Sequence, residues 1–227
     1  MTMLRRRVTE VDVLILEDNN IPHLPSRAFG SVKINRLFIE NNRMMTIDRN
    51  AFAGIEDFLT ELYIKESNLK SLPKDSIDFL HELAVFSVEN SQIMTMPKVI
   101  GLKKLKLFKI DGSYIREIPA RTLSDLPALK YLHICRSSLS RMDIGVLEDL
   151  RHLILANFTN NQISWIHPRA FRSVLCFNFV YIFVKLLSFS VSKTETQRYC
   201  VTLIFFLYSH RSLYFPGILT TLYCFEF

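Results

Sequence analysis

The sequence contains little of what enzymes commonly use to build an active site. Only six glycines occur in 227 residues, and there is no glycine-rich phosphate loop, no Gly-x-Ser-x-Gly and no His-Glu-x-x-His motif. The four cysteines form no Cys-x-x-Cys pair, and the six histidines do not recur at the spacing of metal ligands. These absences predict a chain that is not an enzyme and that holds no metal and no cofactor.

Long runs of one charge are absent as well. The 28 basic and 22 acidic residues give a formal net charge of +6, but they are mixed along the chain, so no basic segment resembles a nucleic-acid tether. A hydrophobic content of 49% with 22% charged residues is typical of a folded core rather than of a disordered chain. We therefore expect a folded protein with no nucleic-acid partner.

What the sequence does contain is a repeat. The order apolar-x-x-apolar-x-apolar-x-x-Asn-x-apolar-x-x-apolar occurs seven times between residues 11 and 174, with Ser replacing Asn in four copies. Successive copies begin their central apolar pair 22 to 25 residues apart, at Leu14, Leu37, Leu62, Phe86, Phe108, Leu132 and Ala156. Apolar residues at a period of two indicate a short strand with one buried face, and such strands can hide that face only by stacking on their own copies.

This spacing resembles the leucine-rich repeat family, in its 24-residue form with a Pro and an Ala-Phe pair in the second half, as in Ala28-Phe29 and Ala170-Phe171. That form is common in extracellular animal proteins. The resemblance implies an α/β solenoid or horseshoe, with a parallel sheet on its concave side and an irregular or short-helical convex side. Within the family, the Ile, Met and Phe anchors look like those of arthropod proteins named as non-catalytic subunits of Oplophorus-type luciferin monooxygenase.

The polar slot of each repeat lies where the chain leaves the strand. A turn buried between stacked copies leaves backbone N–H and C=O groups without water, and a short polar side chain can satisfy them. We interpret this set as a structural ladder rather than as catalytic amides. Its members are Asn19, Asn42, Ser67, Ser91, Ser113, Ser137 and Asn161.

The fixed register also gives the residues that point out of the sheet, where a protein or peptide partner would bind. We predict a partner-binding set of Glu17, Phe38, Glu40, Glu61, Tyr63, Lys65, Glu89, Lys109, Asp111, Tyr131 and His133. Phe38 and Tyr63 fall on adjacent strands among three of the glutamates. Aromatic anchors ringed by charge commonly carry interface energy, so a basic partner is one interpretation. An ordinary cross-strand pair among solvated acids is the other.

Two shorter patterns fall on the same face. Asn157-Phe158-Thr159 matches the acceptor pattern for N-glycosylation, and a glycan there would cover the end of the concave face. His133 and Cys135 lie two residues apart on one strand face, which we interpret as two ordinary surface residues.

The two ends of the chain lack the repeat. Residues 1–10 contain Arg5, Arg6 and Arg7 but no apolar segment of a signal peptide, and no cysteine-rich cap is recognisable at either end. We interpret this start as a remnant, and the chain as a fragment or the translation of an incomplete gene model.

Residues 175–227 are different in composition, since they hold nine of the 18 Phe and three of the four Cys. Three interpretations stay open: a transmembrane segment at 174–191 despite Lys185, a degenerate eighth repeat aligned on Phe177, Val180, Ile182 and Leu187, or translated noncoding sequence.

The function predicted from these patterns is a non-catalytic interaction module that binds a protein or peptide on its concave face, outside the cell or at its surface. The alternative is a membrane-anchored receptor ectodomain whose anchor lies at 174–191. The sequence does not identify the ligand or the oligomeric state.

Overall fold

The computed structural model describes residues 10–30, 32–73, 75–167, 170 and 181–184. Twelve strands are formed in these ranges. They are β1 (Glu10–Glu17), β2 (His23–Leu24), β3 (Lys33–Glu40), β4 (Thr46–Ile47), β5 (Glu61–Lys65), β6 (Val85–Glu89), β7 (Leu107–Asp111), β8 (Tyr131–Cys135), β9 (Arg141–Met142), β10 (Leu155–Phe158), β11 (Trp165–Ile166) and β12 (Tyr181–Val184).

The main sheet has eight parallel strands in the order β1-β3-β5-β6-β7-β8-β10-β12. Each repeat adds one strand beside the strand of the repeat before it, so the chain winds as a solenoid. Equivalent repeat positions pair directly, as Leu37 does with Leu62 and Phe86 with Phe108. The predicted leucine-rich repeat solenoid with a parallel sheet is confirmed.

One continuous core runs along the inside of the coils. Leu37, Leu62, Phe86, Phe108 and Leu132 are all fully buried, and they occupy the same position in five consecutive repeats. Phe86 and Phe108 stack with their ring centroids 5.7 Å apart. Each apolar side chain is therefore sheltered by its counterparts in the neighbouring repeats, as the repeat spacing requires.

The convex side is irregular, and the described ranges contain no helix. The return segments consist of single turns closed by hydrogen bonds between residues three apart, such as Ala53 N to Asn50 O and Leu80 N to Ile77 O. Two-residue strands add β2–β4 and β9–β11 pairs beside the main sheet. The short helices that the resemblance allowed are not seen here, because each return segment stops after one turn.

The turns that follow β1, β3, β6, β7, β8 and β10 each use a left-handed residue, whereas the turn after β5 does not. Asp18, Asn41, Asn90, Gly112 and Asn160 have φ between 50° and 72°, a region that Asp, Asn and Gly tolerate best. At Gly112 a Cβ atom would lie 2.9 Å from Asn90 Oδ1. Arg136 occupies the same place in the turn after β8, with φ 47°.

The polar ladder inside these turns joins neighbouring repeats. Asn42 is fully buried, and its Nδ2 donates to Leu16 O at 2.8 Å and to Glu40 O at 2.9 Å. Asn161 does the same between the last two predicted repeats, because its Nδ2 donates to Ile134 O at 2.7 Å and to Phe158 O at 2.9 Å. Three of the serines, Ser91, Ser113 and Ser137, are also buried.

The third repeat departs from the predicted ladder. Ser67 is exposed, whereas the preceding residue, Glu66, is fully buried. Glu66 Oε1 accepts from Asn42 N at 2.7 Å and from Asn42 Nδ2 at 2.9 Å, and Glu66 Oε2 accepts from Met44 N at 3.0 Å. The longer Glu side chain reaches the neighbouring turn, which a serine hydroxyl in the Ser67 position does not do. Asn19 also differs from expectation, since it is exposed and its Nδ2 donates to Glu17 O.

Strand β12 extends the sheet beyond the seven predicted repeats. It pairs with β10 so that Ile182 faces Ala156 and Val184 faces Phe158. The eighth-repeat alignment proposed from sequence set Val180 and Ile182 at these positions, so it is wrong by two residues. The rest of the predicted segment 174–191 lies outside the described residues, as do residues 1–9 and 192–227. Among the described residues there is no helix of the length and apolarity needed to cross a membrane.

Candidate binding face

The concave face carries three columns of outward side chains, with one residue from each of the strands β1, β3, β5, β6, β7 and β8, and from β10 in the first two columns. Strand pairing places Val13, Arg36, Glu61, Val85, Leu107, Tyr131 and Leu155 in the first column, Ile15, Phe38, Tyr63, Ser87, Lys109, His133 and Asn157 in the second, and Glu17, Glu40, Lys65, Glu89, Asp111 and Cys135 in the third. All eleven predicted partner-binding residues lie in these columns. Ten of them fall into two groups with different chemistry, and Tyr131, which is 39% exposed, lies in the first column outside both groups.

The first group is an aromatic shelf formed by Ile15, Phe38 and Tyr63 on β1, β3 and β5. The rings of Phe38 and Tyr63 stack with centroids 4.5 Å apart and planes 4° from parallel. Ile15 beside them is 57% exposed. An exposed isoleucine next to two stacked rings gives a partner an apolar surface that is already in place.

The acids around the shelf are less free than the sequence indicates. Lys65 Nζ lies 3.6 Å from Glu40 Oε2, and Arg36 lies 2.5 Å from Asp12, a residue that the sequence analysis missed. Tyr63 donates its hydroxyl to Glu61 Oε2 at 3.0 Å. Glu17 is exposed and has no ion-pair partner in the described ranges. The shelf is therefore bordered by carboxylates, of which Glu17 offers the most accessible charge.

Tyr63 provides a pH-dependent test of this geometry. Its burial, with the carboxylate of Glu61 beside the hydroxyl, raises the pKa of Tyr63 to about 12. The unfolded chain loses the same proton near pH 10, so the contribution of Tyr63 to stability is complete below pH 10 and is lost as the pH rises toward 12. We expect the 295 nm absorbance difference between the wild type and Tyr63→Phe to show a transition near pH 12. Glu61→Gln should lower that midpoint only in part, because burial is the larger cause. A midpoint near 10 in the folded wild type would contradict the stacked, hydrogen-bonded position.

The second group surrounds a shallow hollow over β7, β8 and β10, which we call the charged hollow. Its volume is about 460 Å³, and it is lined by Leu107, Lys109, Asp111, His133, Cys135, Arg136, Asn157, Thr159 and Asn160. Three of these residues, Lys109, Asp111 and His133, belong to the predicted partner-binding set. Arg136 and Asn160 do not, because they lie in the left-handed turns after β8 and β10 rather than in the outward columns.

Ion pairs connect the charged residues of the hollow across three repeats. Lys109 Nζ donates to Glu89 Oε1 at 2.8 Å and lies 3.7 Å from Asp111 Oδ2. Arg136 Nε donates to Asp111 Oδ1 at 2.6 Å. The hydrogen bond from Arg136 is the main cause that lowers the pKa of Asp111, and Lys109 adds to it. Asp111 therefore holds two cations at the centre of the hollow.

His133 and Cys135 line the same hollow, and burial favours the uncharged form of each side chain. Burial, and then the nearby Lys109, lower the pKa of His133, while burial raises the pKa of the Cys135 thiol. The Cys135 thiol donates to Asn157 O at 3.5 Å. Within the described ranges no group of three or more His, Cys, Asp or Glu residues is placed to hold a metal ion.

Asn157, the glycosylation candidate, is half-buried between His133 and the end of β10. Its Oδ1 accepts from Thr159 N at 3.1 Å. Because Asn157 lines the charged hollow, a glycan on it would occupy the hollow.

Comparison with known proteins supports the leucine-rich repeat architecture, although no family model matches the chain. The chain is 26% identical to keratocan of Gallus gallus over 160 residues, which are 68% of this chain and 44% of keratocan. It is 29% identical to the thyrotropin receptor of Ovis aries over 107 residues, which are 46% of this chain and 13% of the receptor. The chain thus spans less than half the length of these relatives. The narrower resemblance to luciferin monooxygenase subunits receives no support from them and stays a prediction.

Solved structures show the same fold. TLR13, crystallised as a complex with ssRNA13, superposes with a TM-score of 0.67 and 19% sequence identity over 77% of this chain and 25% of that chain. A leucine-rich repeat protein of Leptospira interrogans superposes with a TM-score of 0.58 and 22% identity over 69% of this chain and 39% of that chain. The solenoid is therefore a known architecture.

Proposed function

We propose that this leucine-rich repeat solenoid is a non-catalytic module that binds a protein or peptide on its concave face, outside the cell or at its surface. The observation that carries the proposal is the aromatic shelf. Phe38 and Tyr63 are stacked with centroids 4.5 Å apart, and Ile15 beside them is more than half exposed. A rigid apolar surface with a polar rim is the usual composition of an interface hot spot.

The partner that fits the shelf is basic. Glu17 and Glu61 border the shelf without a salt bridge in the described ranges, while Glu40 shares its charge with Lys65. A Lys or Arg side chain of the partner can lay its aliphatic stem on the rings and its charge on these carboxylates. The shelf therefore suits a partner segment that combines basic and apolar side chains.

Relatives with the same repeats support a binding role and an extracellular setting. The thyrotropin receptor is named for what it receives, and TLR13 was solved as a complex with ssRNA13. The TLR13 complex also means that the fold itself does not exclude nucleic acid, so the predicted absence of a nucleic-acid partner receives no support. We favour a protein partner because the carboxylates at the shelf would repel phosphates. The membrane-anchored receptor stays the alternative. Residues 181–184, which fall within its predicted anchor at 174–191, pair with β10 as strand β12 of the main sheet.

A binding screen tests the proposal. The full chain is applied to an array of secreted proteins and cell-surface ectodomains, and each partner found is measured against two concave-face variants, Phe38→Ala/Tyr63→Ala and Glu17→Lys/Glu40→Lys. We expect each variant to weaken the main partner by at least about tenfold, since hot-spot truncations cost about 2 kcal/mol or more.

The control for this screen is Ile144→Ala. Ile144 is 50% exposed but lies on a return segment, away from the sheet, so the loss of its side chain should leave the affinity unchanged. If the concave-face variants bind as well as the wild type while they keep its circular dichroism spectrum, the proposal is wrong.

A further inference from the structure

The charged hollow differs from the aromatic shelf in the sign of the charge that a partner meets. Both ends of the concave face contain acids and bases, but their exposure is unequal. In the hollow, the Arg136 side chain is 54% exposed, while the Asp111 side chain that it contacts is only 14% exposed. A group that approaches the hollow therefore meets the guanidinium rather than the carboxylate.

Hydrogen-bond donors are also in excess there. Only Nε of Arg136 is engaged, with Asp111, so its two Nη groups have no partner in the described ranges. Asn157 uses its Oδ1 to accept from Thr159 N, which leaves its Nδ2 without an acceptor among the described residues. The two carboxylates of the network already accept from Lys109 and Arg136.

From this arrangement we propose that the charged hollow is the subsite for a carboxylate of the protein partner, bound by Arg136 with help from Asn157. Arginine binds carboxylates in a bidentate manner through adjacent N–H groups. The hollow has a volume of about 460 Å³, and its walls exclude part of the surrounding water. The lower local dielectric constant strengthens such a charge-assisted hydrogen bond. The inference rests on the proposed function, because it names a second feature of the same partner.

The position of the hollow relative to the aromatic shelf predicts how far apart the two contacting groups of the partner must be. Tyr63 and His133 occupy the same column on β5 and β8, three strands apart, which corresponds to about 14 Å at the usual strand spacing. Since Arg136 lies beyond His133 along β8, the partner should carry a carboxylate at least about 14 Å from the basic and apolar group that covers the shelf. A polyanion such as nucleic acid fits poorly, because neighbouring phosphates would lie over the glutamates of the shelf.

Side-chain NMR of the isotope-labelled full chain tests the hollow without knowledge of the partner. The probe is N-acetyl-glutamate methylamide, which has a single carboxylate, and its neutral counterpart is N-acetyl-glutamine methylamide. We expect the glutamate probe to shift the Arg136 Nε–H and Asn157 Nδ2 signals in a saturable manner, with the glutamine probe at least about tenfold weaker. Absence of shifts, or equal shifts with both probes, would overturn the proposal.

Matched variants separate charge from folding. Arg136→Asn removes the guanidinium but keeps the turn, since Asn41 and Asn160 occupy the same left-handed position in other repeats. It should weaken the glutamate probe by at least about tenfold. The control is Arg121→Asn, because Arg121 is also left-handed, with φ 62°, and is also paired with a carboxylate, Glu148, at 3.3 Å, but on the convex side. Equal effects of the two variants would overturn the proposal.

A third arm separates the alternatives. Arg136-dependent shifts caused by a single-stranded oligouridine, with none caused by the glutamate probe, would assign the hollow to nucleic acid and overturn a carboxylate subsite. If the glutamate probe does not bind, the carboxylate subsite is wrong. The proposed function is then still tested by the partner affinity of the shelf variant Phe38→Ala/Tyr63→Ala. The two proposals can therefore fail separately.

Discussion

Glu66→Ala is expected to destabilise the protein by about 2–5 kcal/mol, because it leaves the buried N–H groups of Asn42 and Met44 without an acceptor. Neither N–H group can hydrogen-bond to water unless the interface between the second and third repeats opens, because Asn42, Met44 and Glu66 are all fully buried. The measurement is urea unfolding of the full chain followed by circular dichroism, with the wild type in parallel.

The neighbouring serine is the control. Ser67→Ala changes the residue that the repeat spacing assigns to the ladder, but Ser67 is exposed, so we expect a change within about 0.5 kcal/mol. Glu66→Gln should fall between the two, because its amide oxygen can still accept from Asn42 N while its NH₂ group faces the Met44 N–H. A larger loss for Ser67→Ala than for Glu66→Ala would show that the ladder continues through the serine.

The success of the repeat spacing as a predictor has a physical reason. A one-residue slip would turn Leu37 or Leu62 out of the core and Phe38 or Tyr63 into it, so the register of seven strands is fixed by the apolar period alone. The three outward columns follow from that register without further information. The positions of apolar residues such as Leu37 in successive repeats were therefore enough to predict the solenoid and its outward columns.

The parts that the sequence did not predict depend on side-chain length and turn geometry. Ser67 satisfies the pattern, yet the carboxyl group of Glu66 reaches the turn of the previous repeat and replaces it. Arg136 follows its strand by one residue, and only the left-handed turn brings its guanidinium back over Asp111. Strand β12 lies two residues from its predicted alignment, because almost every residue near it is apolar and the period carries no information there.

Partner affinity depends on the outward face of the sheet and stability on its inward face. Two phenylalanines, one on each face, allow these two contributions to be measured separately. Phe38 lies outward on β3, where it is half-buried and stacks on Tyr63. Phe108 points inward from β7, where it is fully buried and stacks on Phe86. The same substitution at the two positions therefore probes binding in one case and the core in the other.

Phe108→Ala is expected to cost about 3–5 kcal/mol of unfolding free energy, the usual range for removing a buried ring and leaving a cavity. Phe38→Ala should cost about 1 kcal/mol, mainly the lost stacking on Tyr63.

Because solenoid stability is a sum of the stabilities of single repeats and of the interfaces between neighbours, a cavity in the fifth repeat should also weaken the coupling between the repeats before it and those after it. The single tryptophan, Trp165 in the seventh repeat, reports on the later half by fluorescence, while circular dichroism reports on the whole. We expect the two urea transitions to coincide in the wild type and in Phe38→Ala and to separate in Phe108→Ala. Equal losses for both variants would contradict the inward and outward assignment of the two rings.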